Sequence, residues 1–403
     1  MTTIVRFDDT YFRDPHAAAA RWAAAAPIHR FVSDSGTEGW LITGYELART
    51  ALVDPAIAKN PDTMIGGTAR PDSVAARLRR AAARQVTTHM LGTDPPGHSR
   101  LRGSVAEAFT PRAVEALEPW LDNRAAHLVD DMDPGSPVDI VTALAFPLPI
   151  GLLCHILSLP ERHLDRIGRA SSVLSDVLVA DPDELRVAAI DFTRFILPRL
   201  IGRAVRPRED LLGAVAAQMR RRELSISEAL STIALLLIAG HETTTSLIAS
   251  TVYRLLHHPG ELDRVHDDPA RLDAVIDETL RHDPPLPATT LRVAHEPLQL
   301  AGQDIRPGEW IMVSLLAAHH DPALHVTAET FDPGRKPNRH LAFGYGVHYC
   351  LGARLARLET RIALRRLLDR YPKLALAAES DPVWRRSVTF RRLEHLSVRL
   401  EPR

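Results

Sequence analysis

A ten-residue segment, Phe343–Gly352, limits what this chain can fold into more than any other feature of its sequence. Gly344 and Gly346 stand two residues apart, a spacing that permits a tight turn with little side-chain bulk. The turn leads to Cys350, and apolar residues recur at helical spacing from Leu351 to Leu368. The sequence therefore predicts a thiol on a turn, with an amphipathic helix beginning at once after it.

A cysteine in that position has a definable chemistry. The positive end of a helix dipole and its free N–H groups stabilise a thiolate. No second cysteine or histidine cluster accompanies Cys350, which argues against zinc and iron–sulfur clusters, whereas a haem iron takes a single thiolate. From this residue alone, a small buried hydrophobe after a glycine turn is the competing interpretation. Cys154 lies in an apolar run, 152–157, and is predicted to be core.

The rest of the pattern indicates a mainly α protein with a small β part. Helical spacing covers much of the chain from Pro111 to about Met219, and a long apolar helix begins near Ser227, with Ser225 or Ser227 as its cap. Further elements are predicted toward the C-terminus: a helix over Asp268–Arg281, short strands at Leu291–Ala294, Leu298–Ala301 and Trp310–Leu315, and strands within Val383–Leu400.

Composition narrows the possible partners. The 403 residues carry a formal net charge of −1, which gives no support for binding nucleic acid or an anionic membrane. The N-terminal segment has no apolar core, and the most apolar run, Ile233–Ala239, is too short to span a bilayer. Two cysteines are too few for a secreted disulfide scaffold, so a cytoplasmic protein with free thiols is predicted.

The Phe343–Gly352 segment resembles the haem-binding signature of the cytochrome P450 family. Four other stretches resemble that family's remaining marks and occur in its order: 98–102, 239–244, 278–281 and 331–335. The resemblance extends over roughly residues 38–400. It implies one domain over 1–403, folded as a triangular helical prism that holds haem b (iron-protoporphyrin IX) between the long central helix and the cysteine loop. It also implies a bacterial enzyme.

The resemblance assigns roles to particular residues. Cys350 would be the axial iron ligand, Thr243 would serve oxygen activation, and Glu242 would relay protons from solvent. Thr243 follows Ala239 by four residues, so its hydroxyl can bond the Ala239 carbonyl and bend the helix at Gly240. His241 is expected to face solvent. Other positions that match haem contacts are His98, Arg102, Ala239, Gly240, Arg292, Phe343, Gly344, His348 and Gly352.

A structural network and a substrate pocket complete the assignment. Glu278 and Arg281 lie three residues apart on one helix face, and Arg335 is expected to join them beneath the haem. His319 and His320 replace a common Asn-Arg pair, a departure that should not affect the chemistry. The pocket would include the 60–92 loop, the 165–195 region and, individually, Leu236, Thr244, Ala288, Thr289, Thr290, Val388 and Thr389.

The implied reaction is oxygen insertion, by default hydroxylation, into a hydrophobic organic substrate such as a polyketide, macrolide or terpenoid intermediate. No flavin or nicotinamide fingerprint is visible, so electrons would come from a ferredoxin and its NAD(P)H-dependent reductase. Arg354, Arg361 and Arg365 lie near one helix face, which could dock an acidic ferredoxin or simply be solvated. Two alternatives remain: a non-catalytic haem-thiolate sensor and a peroxide-driven peroxygenase. The pairing of Glu242 with Thr243 argues against both.

Overall fold

The computed structural model describes residues 4–33, 36–59, 88–175, 182–377 and 382–401. By its internal contacts the chain divides into two compact units. The first unit comprises Met1–Ala58, Asp122–Ala145 and Thr243–Arg403, and the second comprises Lys59–Leu121 and Phe146–Glu242.

Helices make up most of the described chain. They are α1 (Asp9–Arg13), α2 (Pro15–Ala25), α3 (Tyr45–Val53), α4 (Gly97–Gly103), α5 (Pro111–Glu115), α6 (Glu118–Asp130), α7 (Pro147–Ile156), α8 (Leu164–Ser175), α9 (Pro182–Val205), α10 (Leu211–Arg220), α11 (Ile226–His257), α12 (Pro259–Asp267), α13 (Leu272–His282), α14 (Leu315–His319) and α15 (Ala353–Arg370). A π-helical turn covers Val141–Ala145, and short 3-10 turns occur at Met90–Gly92, Ala106–Phe109, Glu161–His163, Pro269–Arg271 and Gly346–His348.

All strands that the structure describes lie in the first unit. They are β1 (Ile4–Arg6), β2 (Ile28–Val32), β3 (Glu38–Ile42), β4 (Ile57–Ala58), β5 (Val138–Asp139), β6 (Arg292–Ala294), β7 (Leu298–Leu300), β8 (Gln303–Ile305), β9 (Trp310–Val313), β10 (Ala375–Leu376), β11 (Val383–Trp384), β12 (Leu393–His395) and β13 (Ser397–Arg399). The main sheet has the order β1-β2-β3-β9-β6-β4, with β3 parallel to β9 and β2 antiparallel to β3. Smaller sheets are β10-β13-β5, β11-β12 and β7-β8.

The core of the first unit forms where the main sheet meets α3. Ile42, Ile311 and Val313 alternate inward from β3 and β9, and they pack with Ala48 and Leu52 of α3. Burial of these aliphatic side chains stabilises the unit by about 1.5–3 kcal/mol for each large one. The second unit is helical: α7 is almost wholly buried, and α9 packs on α8 and α10.

Helix α11 is the element that the sequence predicted most closely. Ser225 caps it, because its hydroxyl accepts from the Glu228 N–H at 3.2 Å while the Glu228 carboxylate accepts from the Ser225 N–H at 2.8 Å, a reciprocal capping box. The helix is long and apolar enough to cross a membrane, but 78% of its most apolar window is buried inside the protein. That burial is typical of a core helix.

Most other elements match their predicted positions within three residues. The short strands predicted after Pro285 and within Val383–Leu400 are present as β6, β7 and β9 and as β11, β12 and β13. The helix predicted over Asp268–Arg281 is divided into a 3-10 turn and α13, because Pro269 follows the capping Asp268.

Candidate functional site

The cysteine loop is a backbone-bonded turn. Gly344 and Gly346 both have positive φ angles, +73° and +74°, which glycine adopts without steric cost. The Gly344 N–H donates to the Leu341 carbonyl at 2.7 Å, and the Cys350 N–H donates to the Phe343 carbonyl at 2.8 Å. The backbone therefore fixes where the thiol is carried, and Cys350 is exposed.

The start of the following helix differs from the prediction. Helix α15 begins at Ala353 rather than directly after the cysteine, and Gly352 is its N-cap residue. The intervening residues form a turn, because the backbone at Gly352 is not yet helical. Cys154 is fully buried as predicted, and burial raises the pKa of its thiol to about 12.

A buried ion-pair network lies close to the cysteine loop in the first unit. The carboxylate of Glu278 accepts from Arg281 Nε at 2.8 Å and from Arg281 Nη2 at 2.7 Å, a bidentate pair in which both side chains are fully buried. Arg281 also donates to the carbonyls of Ala328 (2.7 Å) and Thr330 (2.9 Å). The pair thereby connects α13 to the segment that leads to the cysteine.

Arg335 reaches the same carboxylate, as its sequence position suggested. Its Nε lies 3.6 Å from Glu278 Oε1, and its Nη2 donates to the carbonyls of Thr327 and Thr330. The Asp332 N–H donates to Glu278 Oε1 at 2.8 Å. The structure therefore brings Glu278, Arg281 and Arg335 together around one loop.

A short accessible strip interrupts the burial of α11. Ala239 is exposed, Gly240 and Thr243 are half-buried, and Glu242 is only 1% exposed. Ala239 and Thr243 are one turn apart and share a face. The helix is continuous from Ile226 to His257, so no break accompanies the predicted bend, and the Thr243–Ala239 hydrogen bond stays a prediction. A Cβ at Gly240 would lie 3.2 Å from both methyls of Leu153.

The expectation for His241 is wrong. Its side chain is fully buried rather than solvent-facing, and its ring packs edge-on against Phe146 with centroids 4.5 Å apart. Its Nδ1 lies 3.7 Å from Glu242 Oε1. The aromatic ring of Phe146, which is distant in sequence, provides the apolar surface against which the imidazole is buried.

The residues matched to haem contacts are distributed over both units. His98 and Arg102 lie one turn apart on α4, with His98 3% exposed and Arg102 half-buried. Burial first, and the neighbouring Arg102 charge second, lower the pKa of His98, which keeps its imidazole neutral. Arg292 is 5% exposed on β6 and donates to the Ile57 carbonyl at 3.4 Å. His348 is half-buried in the Gly346–His348 turn.

These donors fit a haem on chemical grounds. An accessible thiol on a rigid turn suits an iron ligand, because a thiolate is one of the axial ligands that haem iron takes. His98 and the Arg102 and Arg292 guanidiniums offer N–H donors of the kind that propionates need. The accessible strip Ala239–Gly240–Thr243 is built of small residues, which leaves room beside the helix.

The predicted pocket residues take varied positions. Leu236, Thr244 and Ala288 are buried, with 7%, 3% and 5% exposure. The remainder are half-buried: Thr289, Thr290, Val388 and Thr389. Thr289 accepts from the Val313 N–H at 3.1 Å, so its hydroxyl serves the backbone. Residues 60–87 of the predicted pocket loop and 176–181 of the 165–195 region lie outside the described residues.

Two buried polar clusters were not predicted from the sequence. His319 is fully buried between α13 and the cysteine loop, with both ring nitrogens hydrogen-bonded. Asp283, also fully buried, binds Arg254, Arg391 (2.7 Å) and His16 (2.9 Å). The replacement of Asn-Arg by His319-His320 is the sequence signal for the first cluster, although it predicts no change in the chemistry.

The Asp283 cluster is structural rather than metal-binding. His16, His282 and Asp283 bring ligand atoms within 4.8 Å of one another. Although burial alone would raise it, the charges of Arg254 and Arg391 hold the pKa of Asp283 well below its ordinary value. Two guanidiniums already bound to this carboxylate would repel a divalent cation.

Comparison with known proteins gives consistent matches over the whole chain. A family model described as cytochrome P450 matches residues 203–383. The chain is 37% identical to "Cytochrome P450 107B1" of Saccharopolyspora erythraea, with 98% of this chain and 97% of that protein covered. It is 36% identical to the "6-deoxyerythronolide B hydroxylase" of the same organism, with both chains covered completely.

A solved structure matches equally well. It is "The cytochrome P450 enzyme CxnD for C-S bond formation in chuangxinmycin biosynthesis", with a TM-score of 0.91 and 31% identity, covering 100% of this chain and 98% of that one.

Proposed function

The chain belongs to the cytochrome P450 family and is a haem b monooxygenase, and from that premise we propose that Cys350 provides the thiolate ligand of the haem iron. When bound, the haem supplies the centre at which dioxygen is cleaved, so that one oxygen atom enters an organic substrate. The observation that carries the assignment of Cys350 is the geometry of its loop: the thiol is accessible, and the backbone N–H of Cys350 donates to the Phe343 carbonyl.

The loop also fixes the position of the Cys350 thiol. The backbone N–H groups of Gly344 and Cys350 are already hydrogen-bonded, so the backbone that carries the thiol is fixed before a ligand binds. Such preorganisation lowers the ordering cost of binding. Phe343 packs against the Arg357 guanidinium, which lies 4.5 Å from the ring centroid, and this contact stabilises the orientation of the ring.

We assign proton delivery to Glu242 and Thr243. Glu242 is only 1% exposed, and its Oε1 lies 3.7 Å from His241 Nδ1, so α11 carries a buried acid directly beside Thr243. Thr243 presents its side chain at the accessible strip next to it. The hydroxyl would hold a proton at its Oγ1, and the carboxylate would replenish that proton from solvent.

Four side chains are proposed to hold the haem propionates: His98 and Arg102 from α4, Arg292 from β6 and His348 from the cysteine loop. Neutral His98 would donate one N–H, whereas the guanidiniums would supply charge-assisted hydrogen bonds. The network of Glu278, Arg281 and Arg335 is proposed to maintain the loop and retain the haem. Gly240 and Gly352 would allow close approach of backbone.

The substrate is proposed to be a hydrophobic secondary-metabolite intermediate of polyketide or macrolide type, with a terpenoid as the alternative. Support comes from the name of the hydroxylase that is 36% identical over the complete chain, and from the apolar or small side chains at the pocket positions. Hydroxylation at carbon is the proposed reaction. Leu236, Thr244, Ala288, Thr290, Val388 and Thr389 are the proposed contacts.

A P450 monooxygenase needs a redox partner, and we propose a ferredoxin with its NAD(P)H-dependent reductase in the cytoplasm. The docking face suggested by Arg354, Arg361 and Arg365 carries less free charge than the sequence implied. Arg361 pairs with Asp273 at 3.1 Å, and Arg365 pairs with Asp369 at 3.8 Å. The single-domain organisation over 1–403 also stays a prediction.

The test is the absorption spectrum of the purified protein after dithionite reduction and exposure to carbon monoxide. We expect the strongly red-shifted Soret band of a thiolate ligand, and we expect Cys350→Ala to abolish it. Cys154→Ala is the matched control and should leave the band unchanged, because Cys154 is a fully buried core residue. A wild-type band typical of a neutral axial ligand would overturn the assignment.

Turnover distinguishes the remaining alternative. A ferredoxin, its reductase and NAD(P)H should support product formation with dioxygen at least as well as added hydrogen peroxide does. Product formed only with peroxide would identify a peroxygenase instead.

A further inference from the structure

His319 occupies a position between the ion-pair network and the cysteine loop. The residue is fully buried at the end of α14. Its Nδ1 lies 2.8 Å from the Arg281 carbonyl oxygen, and its Nε2 lies 2.7 Å from the Leu341 backbone nitrogen. A carbonyl can only accept and a backbone N–H can only donate. The ring is therefore neutral, with its proton on Nδ1 and a lone pair on Nε2.

The two contacts place His319 on a path of hydrogen bonds and covalent backbone that ends at the cysteine. Arg281, whose carbonyl accepts from His319, is itself held by Glu278. Leu341, which donates to His319, accepts from the Gly344 N–H at 2.7 Å. From Gly344 the loop continues to the Cys350 N–H, which is closed on the Phe343 carbonyl.

We propose that His319 is a positioning residue for the axial ligand: its imidazole fixes Leu341, and through Leu341 the glycine turn that carries Cys350. This inference rests on the proposed role of Cys350. Leu341 is 2% exposed, so water does not reach its N–H easily. Within the described residues, His319 Nε2 is the acceptor found for that N–H. Loss of the acceptor leaves a buried donor unpaired, and the loop entrance shifts to satisfy it.

The surroundings of His319 favour the neutral ring. Burial first, and then the charges of His340, Arg281 and His320, lower the pKa of His319 well below its ordinary value. His340 belongs to the segment before the loop, Arg281 to α13, and His320 directly follows α14. A positive charge on any of the three opposes a proton on Nε2. The arrangement keeps the lone pair available to Leu341 at neutral pH.

An asparagine at this position offers both a hydrogen-bond acceptor and a hydrogen-bond donor, as the neutral imidazole does. Its Oδ1 accepts and its Nδ2 donates, so both contacts of the ring can be retained by a smaller side chain. A leucine has neither group. The pair of substitutions therefore separates hydrogen bonding from the mere filling of space.

The experiment compares His319→Leu, His319→Asn and the control His320→Gln by the spectrum of the reduced carbon monoxide adduct. His320 is buried beside His319, but its Nδ1 bonds the Leu316 carbonyl of its own helix. We expect the thiolate fraction to fall at least threefold in His319→Leu and to stay at the wild-type level in His319→Asn and His320→Gln. Hydrogen exchange of the Leu341 amide should accelerate at least tenfold in His319→Leu alone.

A wild-type thiolate fraction and wild-type Leu341 exchange in His319→Leu would overturn the proposal. Should His319→Leu fail to fold, acid titration of the other proteins decides. The thiolate band of the wild type and of His320→Gln should convert at a higher pH than that of His319→Asn, which lacks the titrating ring. Equal midpoints in all three would overturn it. Absence of a thiolate band in the wild type would instead mean that the proposed role of Cys350 is wrong.

Discussion

We call the Cys350 loop with the Glu278–Arg281 network the cysteine side, and the strip on α11 that is proposed to serve oxygen activation the oxygen side. The two are built in opposite ways. On the cysteine side, the buried Glu278 carboxylate and Arg281 guanidinium form an ion pair. Arg281 donates its remaining hydrogen bonds to backbone carbonyls. On α11, by contrast, a buried carboxylate, Glu242, lies next to a strip where Ala239 is exposed and Thr243 is half-buried. One region has its polar groups fixed, and the other keeps an accessible surface beside a buried acid.

The difference follows from what each side must do. The proposed axial ligand has to keep one position, and an extensively hydrogen-bonded buried network suits that role because movement would leave buried groups unpaired. Proton delivery needs small molecules to enter and leave, so small side chains and an accessible hydroxyl suit it better. Fold stability and ligand position should therefore depend on the first region, and reaction rate on the second.

The largest expected effect comes from Arg281→Leu. This substitution removes the bidentate partner of the fully buried Glu278 carboxylate, and breaking a buried pair in this way costs about 3–5 kcal/mol of the free energy of unfolding. A domain of ordinary stability has only about 5–15 kcal/mol, so we expect low soluble yield and little haem. Denaturant unfolding of the purified protein measures the loss.

Arg186→Ala is the matched control, because Arg186 and Asp183 form an exposed pair with the same three-residue spacing. Exposed pairs contribute about 0–1 kcal/mol, so this change should be almost silent. Equal losses in the two variants would contradict the division between the regions.

Glu242→Gln and Thr243→Ala should act on rate. General acid–base groups contribute roughly 10²–10⁴-fold, so we expect product formation to fall about 100-fold or more. The carbon monoxide spectrum and the midpoint of unfolding should stay close to those of the wild type. Hydrogen peroxide released per NAD(P)H oxidised should rise in Thr243→Ala, because oxygen is then reduced without productive proton delivery. A lost thiolate band in either variant would show that α11 also maintains the ligand.

How far the sequence predicts this molecule depends on how local each feature is. The ends of α11 and its Ser225 cap could be predicted because the capping box spans four residues. Glu278 and Arg281 could be paired for the same reason, since a helix brings residues three apart together.

Long-range contacts account for what the sequence missed. The burial of His241 depends on the ring of Phe146, about a hundred residues earlier. His319 bonds Leu341 across 22 positions, and Asp283 bonds Arg391 across 108. Those distances come from the packing of α13, α14 and the C-terminal segment, which no local pattern encodes.

Acid should weaken the fold through buried histidines, most of them on the cysteine side. Burial is the main cause that lowers the pKa of His89 and His320 to about 4, and that of His319 well below its ordinary value. These residues bind protons in the unfolded chain near pH 6.5 but not in the folded one. Stability is therefore complete above that pH and falls below it, by about 1.4 kcal/mol per pH unit for each histidine.

Unfolding free energies between pH 7.5 and 5 measure that slope. His320→Gln should reduce the proton uptake on unfolding by about one, and so should His89→Gln in the second unit. A slope unchanged by either substitution would mean that other groups set the acid limit.

The smallest expected effects come from replacing a single glycine by alanine in each of the two regions. Gly346→Ala places a side chain at φ +74°, with its Cβ 2.6 Å from a Val53 methyl, so we expect a loss of about 1–2 kcal/mol. Gly240→Ala keeps a helical backbone, and the gain of about 1 kcal/mol in helix propensity offsets the 3.2 Å contact with Leu153. Its unfolding midpoint should stay near that of the wild type, whereas product formation should fall because the added methyl occupies the accessible strip. If Gly346→Ala proved silent and Gly240→Ala destabilising, rigidity would belong to the oxygen side instead.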